Sequence, residues 1–340
     1  FLQTLMTYSQ RLFIYKQLFK KPSGFFFFAC AIIKSKLMKH TLHSFSHHKS
    51  SILGLAVLLF LVGCSSSGAK SYPTLGTPSK QYTFEEILWP TQPGNLVYQA
   101  AGFTLDYSNA EFGYMSLKAP DLEVGMKAQV IKGEDVYTYT LQADKYVIVP
   151  LQSGDGSYQI KLLKQKEGST YAVSGSVSID VALVDDFTTY LYPNQIVDYN
   201  KETQAIMKSF DLTASAETDL ERVHAVYTYI TDNIDYDYDK AKEAQTRFIL
   251  PIIDETYLEE KGICFDYASL MTAMLRVQHI PTRVVTGMVE EGYHAWVEVY
   301  VEDIGWINPN IYFEEDWERI DPTFDAIGAK TTGYDIEDVY

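Results

Sequence analysis

The run Cys264-Phe265-Asp266-Tyr267-Ala268-Ser269-Leu270-Met271-Thr272-Ala273-Met274-Leu275-Arg276 constrains the fold of this chain more than any other. Its pattern is helical and apolar nearly all round, and a helix without a polar stripe has to be buried. Gly262 ends the preceding element, so the helix opens at Cys264 with a thiol in its first turn. The positive end of the helix dipole favours thiolate there. Asp266 acts the other way on the thiol and reads as an ordinary acid of a first helical turn.

Around this run the chain divides into two folded regions. Between Ala101 and Ala182 seven short alternating segments read as strands: Phe103–Tyr107, Tyr114–Lys118, Met126–Lys132, Val136–Leu141, Tyr146–Pro150, Tyr158–Lys164 and Tyr171–Val181. Turn residues such as Ser153-Gly154-Asp155-Gly156 separate them. This spacing predicts an antiparallel β-sandwich of immunoglobulin-like type, assigned to residues 82–184. The stretch has no His and no Cys, so chemistry is not expected in it. A connector, Asp185–Ser215, turns at Tyr192-Pro193-Asn194. Val223, Val226, Tyr227, Ile230 and Ile234 then recur at helical spacing, with Thr218 and Asp219 suited to open the helix. Helices followed by strands from residue 282 predict an α+β domain over residues 185–340.

The 44 acidic side chains outnumber 28 basic ones, for a formal net charge of −16. Residues 1–63 hold Arg11, Lys16, Lys20, Lys21, Lys34, Lys36, Lys39 and Lys49 and no acid, so the remainder is more acidic still. Such a body repels nucleic acid, and nucleic-acid binding is not expected. Residues 38–63 have a basic start and an apolar run from Ile52 to Val62, the layout of a secretory signal. Leu61-Val62-Gly63-Cys64 resembles the bacterial lipobox, which implies lipidation of Cys64 and an extracytoplasmic, membrane-anchored protein. Residues 1–37 begin at Phe and end before Met38; they read as translated upstream sequence. Residues 64–81, rich in Ser, Gly, Pro, Thr and Lys, read as a flexible tether. With Cys30 and Cys64 so assigned, Cys264 is the one thiol left to act.

Two further segments carry chemistry. In Gly292-Tyr293-His294-Ala295-Trp296-Val297-Glu298-Val299-Tyr300-Val301, strand alternation sets the aliphatic residues on one face and His294, Trp296, Glu298 and Tyr300 on the other. In Arg319-Ile320-Asp321-Pro322-Thr323-Phe324, Asp321 stands before a proline that ends or turns its element. Thiol, imidazole and carboxylate together make a nucleophile: the imidazole draws the proton from the thiol, and the carboxylate fixes the imidazole's orientation.

Gly-x-Cys-x-Asp-Tyr-Ala at 262–268, Ile280-Pro281-Thr282-Arg283-Val284-Val285-Thr286-Gly287, His-Ala-Trp-x-Glu at 294–298, Gly305-Trp306 and Asp321-Pro322-Thr323 together resemble the core of the transglutaminase-like superfamily. The resemblance covers roughly residues 215–325. It implies a papain-like fold with Cys264 as nucleophile, His294 as base and acid, and Asp321 as orienting carboxylate. An insertion, Ile307–Ile320, separates the Gly-Trp from the Asp-Pro and reads as an extra hairpin. Besides the Cys264 N–H, the side chains of Tyr236, Tyr238 and Trp296 are candidates for oxyanion or substrate contacts. No cofactor and no metal are implied; the run Asp235–Asp239 lacks the glycine of a calcium loop and reads as a helix exit coated with solvated charge.

The expected activity is cleavage or transfer at amide bonds of a protein or peptide substrate, with a cell-wall peptide among the candidates. Water as second nucleophile makes a cysteine peptidase or amidase, and an amine makes a transglutaminase-type acyltransferase. The alternative is a non-catalytic surface-binding lipoprotein that uses the sandwich and an inactive transglutaminase-like domain.

Overall fold

Period-2 alternation between Phe103 and Val181 builds seven of the eight strands of two four-stranded antiparallel sheets. Their strands are β1 (Val97–Ala100), β2 (Phe103–Asp106), β3 (Tyr114–Lys118), β4 (Met126–Lys132), β5 (Asp135–Thr140), β6 (Val147–Pro150), β7 (Gly156–Glu167) and β8 (Thr170–Val181). The computed structural model describes residues 76–119, 124–143, 145–289, 292–302, 304–307 and 334–340, all within the unit Pro73–Tyr340. The expectations for the leader, the lipidation of Cys64, the hairpin after Ile307 and the role of Asp321 lie outside the described residues.

The sheets run β1-β2-β3-β6 and β5-β4-β7-β8. They share one core, with Phe103, Leu105, Leu117 and Val149 from the first sheet meeting Ala128, Val130, Ile160 and Leu162 from the second. Strands β7 and β8 are each 12 residues long and pair nearly end to end, so β7 outruns the expected Tyr158–Lys164. Strand β1 was not expected: its side chains alternate between exposed and half-buried, with no apolar face to announce it.

The connector is more structured than its sequence suggests. Asn194 Oδ1 accepts from the N–H groups of Ile196 and Val197, both at 2.9 Å, which sets the turn after Pro193. Residues Gln204–Thr213 then form helix α1, with Ala205, Ile206, Ser209 and Thr213 buried. Its first N–H groups are capped from far along the chain: Asp254 accepts from Gln204 at 2.9 Å and from Ala205 at 3.0 Å. Helix α2 (Asp219–Asn233) opens as expected, with the Thr218 side chain accepting from Glu221 N–H.

Helices α3 (Tyr238–Ala244), α4 (Ile253–Glu259) and α5 (Cys264–Arg276) follow. The last sheet is antiparallel, ordered β13 (Gly305–Ile307), β12 (Gly292–Val301), β11 (Thr282–Val289), β14 (Tyr334–Val339). Helix α5 is buried from Asp266 to Arg276 and packs on β11 and β12. Leu270, Met271, Met274 and Leu275 meet Val284, Ala295, Val297 and Val299 in a core shared with α1 and α2. Full burial of each such side chain contributes roughly 1.5–3 kcal/mol. At the far end of α5, Arg276 donates to the carbonyls of Thr282 (2.8 Å), Tyr192 (2.6 Å) and Tyr340 (3.0 Å). It thereby ties connector, sheet and C-terminal strand to the helix. Burial pushes its guanidinium down to about 10.

The segment before the sandwich is docked on the helices, in contrast to the flexible tether expected up to residue 81. Ser79 N–H donates to Glu217 O at 3.0 Å, and Ser79 Oγ donates to Asp219 Oδ1 at 2.7 Å. The buried Arg222 guanidinium donates to both Ser79 Oγ (2.5 Å) and Asp219 Oδ1 (2.9 Å). Further along, Ile87, Phe84 and Trp89 pack into the helical core, although residue 82 was the expected start of the sandwich domain. His279 holds this strap: its Nε2 lies 2.7 Å from Glu86 O, and its ring stacks on Tyr82 at 3.8 Å.

Candidate thiol site

A short parallel ladder delivers the chain to the thiol. Strand β9 (Asp235–Tyr236) pairs with β10 (Lys261–Gly262), setting Tyr236 beside Gly262. Asp235 N–H donates to Glu260 O and Asp237 N–H to Gly262 O, each at 2.8 Å. A Cβ on Gly262 would stand 2.8 Å from Asp266 Cβ and 3.1 Å from Thr256 Cγ2. Glycine is needed there so that the first turn of α5 can close against the ladder.

Within that turn Asp266 is 2% exposed. One carboxylate oxygen accepts from Ile263 N–H at 2.9 Å, and the other accepts from Lys240 Nζ at 2.9 Å. Burial raises the Asp266 carboxyl above its usual range, while the Ile263 N–H and the Lys240 ammonium pull it back. Asp266 is the first-turn acid expected from the sequence, and it is in addition buried and paired with Lys240. The run Asp235–Asp239 departs from expectation as well. Residues 235 and 236 are ladder, and Asp237 caps α3 by accepting from Lys240 N–H at 2.8 Å.

Cys264 is a half-buried free thiol at the first residue of α5, packed at the margin of the core. Tyr236 lies close to it: burial first, and the charge on Cys264 next, push the Tyr236 hydroxyl up to about 12. The Tyr238 ring sits 5.0 Å from that of Tyr236 and is largely exposed. The structure thus gathers Cys264, Tyr236, Tyr238 and Asp266. Phe265, half-buried at the margin of the core, meets Phe248 at 5.7 Å between ring centres.

His294 is the third residue of β12 and is buried. It stands across from Gly287 of β11. The alternation read from the sequence holds along this strand. Ala295, Val297, Val299 and Val301 join the core under α5. Of the other set, Trp296 packs against Val285, Val289 and Val339, and buried Glu298 accepts from Arg283 Nε at 2.7 Å. Tyr300 packs on Phe187 and Trp306. Trp296 is thus part of the wall of the sheet. Arg283 also lies over the Trp306 ring at 4.1 Å. Neither the Lys240–Asp266 pair nor the Arg283–Glu298 pair was anticipated; only the latter had a sequence signal, opposite charges at facing positions of adjacent strands. Among the described residues no cluster of three or more His, Cys, Asp or Glu is placed to hold a metal ion.

Residues 206–311 match the family model described as the Transglutaminase-like superfamily. Cys264 and His294 fall inside the matched segment and Asp321 beyond it. The kyphoscoliosis peptidase of Mus musculus is 31% identical over 124 residues, covering 36% of this chain and 18% of that protein. Its Homo sapiens counterpart is 31% identical over 129 residues, covering 36% and 19%. The chain therefore spans less than a fifth of the length of these curated relatives. Among solved structures, the periplasmic domain of TgpA from Pseudomonas aeruginosa is 14% identical, with 68% of this chain and 96% of that chain covered, at a TM-score of 0.30. The match makes residues 206–311 of this mixed α+β chain similar to the transglutaminase-like superfamily.

Proposed function

We propose that the protein is a lipid-anchored, extracytoplasmic thiol enzyme that cleaves or transfers at amide bonds. Cys264 attacks the carbonyl, and His294 takes the thiol proton and returns it to the leaving amine. Asp321 orients the imidazole. A second nucleophile, water or an amine, then releases the acyl group from sulfur. The observation that supports this reading is a free thiol at the first residue of a largely buried 13-residue helix, a helix that packs on β12, the strand that also carries the buried His294. Dipole and imidazole act in one direction there, towards thiolate.

The substrate is proposed to be a protein or peptide, with a cell-wall peptide as one candidate. The sandwich is proposed to be an immunoglobulin-like spacer or recruiting module. Its sheet orders β1-β2-β3-β6 and β5-β4-β7-β8, around one shared core, support that assignment. Anchoring is proposed to run through lipid on Cys64. Labelling cells with a radioactive fatty acid should mark the wild type and not Cys64→Ala; equal labelling of both would refute the anchor.

Release of a fluorescent amine from peptide amides, run beside incorporation of a primary amine into casein, tests the activity. Wild type should perform at least one of the two, and Cys264→Ala neither. Wild-type activity equal to that of Cys264→Ala in both assays would overturn the reading in favour of a binding protein.

A further inference from the structure

Two residues beyond the nucleophile, Asp266 puts a carboxylate into the same turn as the thiol, where it opposes a second negative charge. The fold does not leave that carboxylate bare. Lys240 reaches it from α3 at 2.9 Å, with the lysine side chain 17% and the aspartate side chain 2% exposed. Lys240 is itself held in place, because its N–H donates to the Asp237 cap and Asp237 N–H donates to Gly262 O. A chain of hydrogen bonds therefore runs from the α3 cap to the residue two before Cys264.

We infer that Lys240 is a positioning residue for Cys264: by neutralising Asp266 it keeps the first turn of α5 hospitable to thiolate while Asp266 still caps Ile263. The inference rests on the proposed thiol chemistry. The charged groups linked to this turn are mostly acids: Asp266 acts on Tyr236, the neighbour of Cys264, Asp237 at the start of α3 acts on Asp266, and Asp235 acts on Tyr267. Lys240 is the cation paired with the buried acid of this group.

Charge and damage have different signatures in substituted proteins. Lys240→Met leaves a buried carboxylate unpaired in the helical turn of the thiol, whereas Asp266→Asn removes the carboxylate and leaves the ammonium. The amide oxygen that Asp266→Asn introduces can still accept from Ile263 N–H. Iodoacetamide alkylation of the full chain, read at Cys264 by peptide mass spectrometry across the neutral pH range, measures both. Lys240→Met should alkylate roughly three- to tenfold more slowly than wild type and Asp266→Asn faster. Lys240→Arg should match wild type, and the double variant Lys240→Met/Asp266→Asn should return towards it. Equal rates in all variants, or shifts of Lys240→Met and Asp266→Asn in the same direction, would overturn the inference. If Lys240→Met does not fold, Asp266→Asn still decides, since an unchanged or slower rate refutes the inference. Failure of the enzyme reading looks different: His294→Ala would then alkylate like wild type while the opposite shifts at 240 and 266 persist.

Discussion

Gly287 stands directly across from His294 in the β11–β12 ladder, and a Cβ on Gly287 would lie 2.0 Å from the carbonyl oxygen of Asp335. The missing side chain lets β14 close on β11 beside the histidine's position, where the β11–β14 register shifts between Thr286 and Gly287. No rotamer can relieve a clash with backbone, so β14 has to move. Gly287→Ala should cost about 1–3 kcal/mol, seen as a lowered midpoint in chemical denaturation. An unchanged midpoint would show that β14 is not held there.

Arg283 and Glu298 face each other across the same two strands, with the Glu298 side chain 2% exposed. Removing the arginine strands a buried carboxylate, and breaking such a pair costs about 3–5 kcal/mol. Arg283→Leu should therefore unfold at clearly lower denaturant, and Arg283→Leu/Glu298→Leu should recover a large part of the loss. If the double variant were no more stable than the single, the stranded charge would not be the cause.

His279 makes attachment of the strap sensitive to acid. Burial, with a smaller contribution from Lys80, holds its imidazole below the ordinary value of 6.5, although Glu86 pulls the other way. The folded-state value is depressed, so the unfolded chain takes up the proton first as pH falls. The contribution is thus complete above about 6.5 and is lost between there and the lower folded value. Amide exchange of residues 79–89 should accelerate as pH drops through this window, once corrected for intrinsic rates, and His279→Phe should flatten the dependence. A flat profile in wild type would refute the linkage.

Tyr236 and the thiol are neighbours, so Tyr236→Phe separates reactivity from turnover. A hydroxyl that donates to the developing oxyanion matters only once the carbonyl is attacked. Alkylation of Cys264 should be unchanged within about twofold, while peptide amide turnover falls by about tenfold or more, within the range of a lost oxyanion donor. Unchanged turnover would remove Tyr236 from the site.

Legibility in the sequence followed the range of the interaction. The buried helix at Cys264 and the alternation around His294 were readable because each pattern is local and periodic. The cap of α1 was not, since its acceptor is Asp254 and nothing near Gln204 announces it. Residues 79–81 have a tether's composition, yet their place is set by Asp219 and Arg222, some 140 residues away. The first-turn place of Asp266 was legible, but its ion pair was not, because its partner Lys240 is 26 residues distant. Strand β1 was missed because an edge strand with little burial has no hydrophobic alternation to read.

Activation of Cys264 by His294 is tested by the iodoacetamide rate at Cys264 in wild type and His294→Ala at neutral pH. The wild type should react at least about tenfold faster, because the imidazole draws the thiol towards its reactive thiolate. Equal, sluggish rates in both proteins would contradict it.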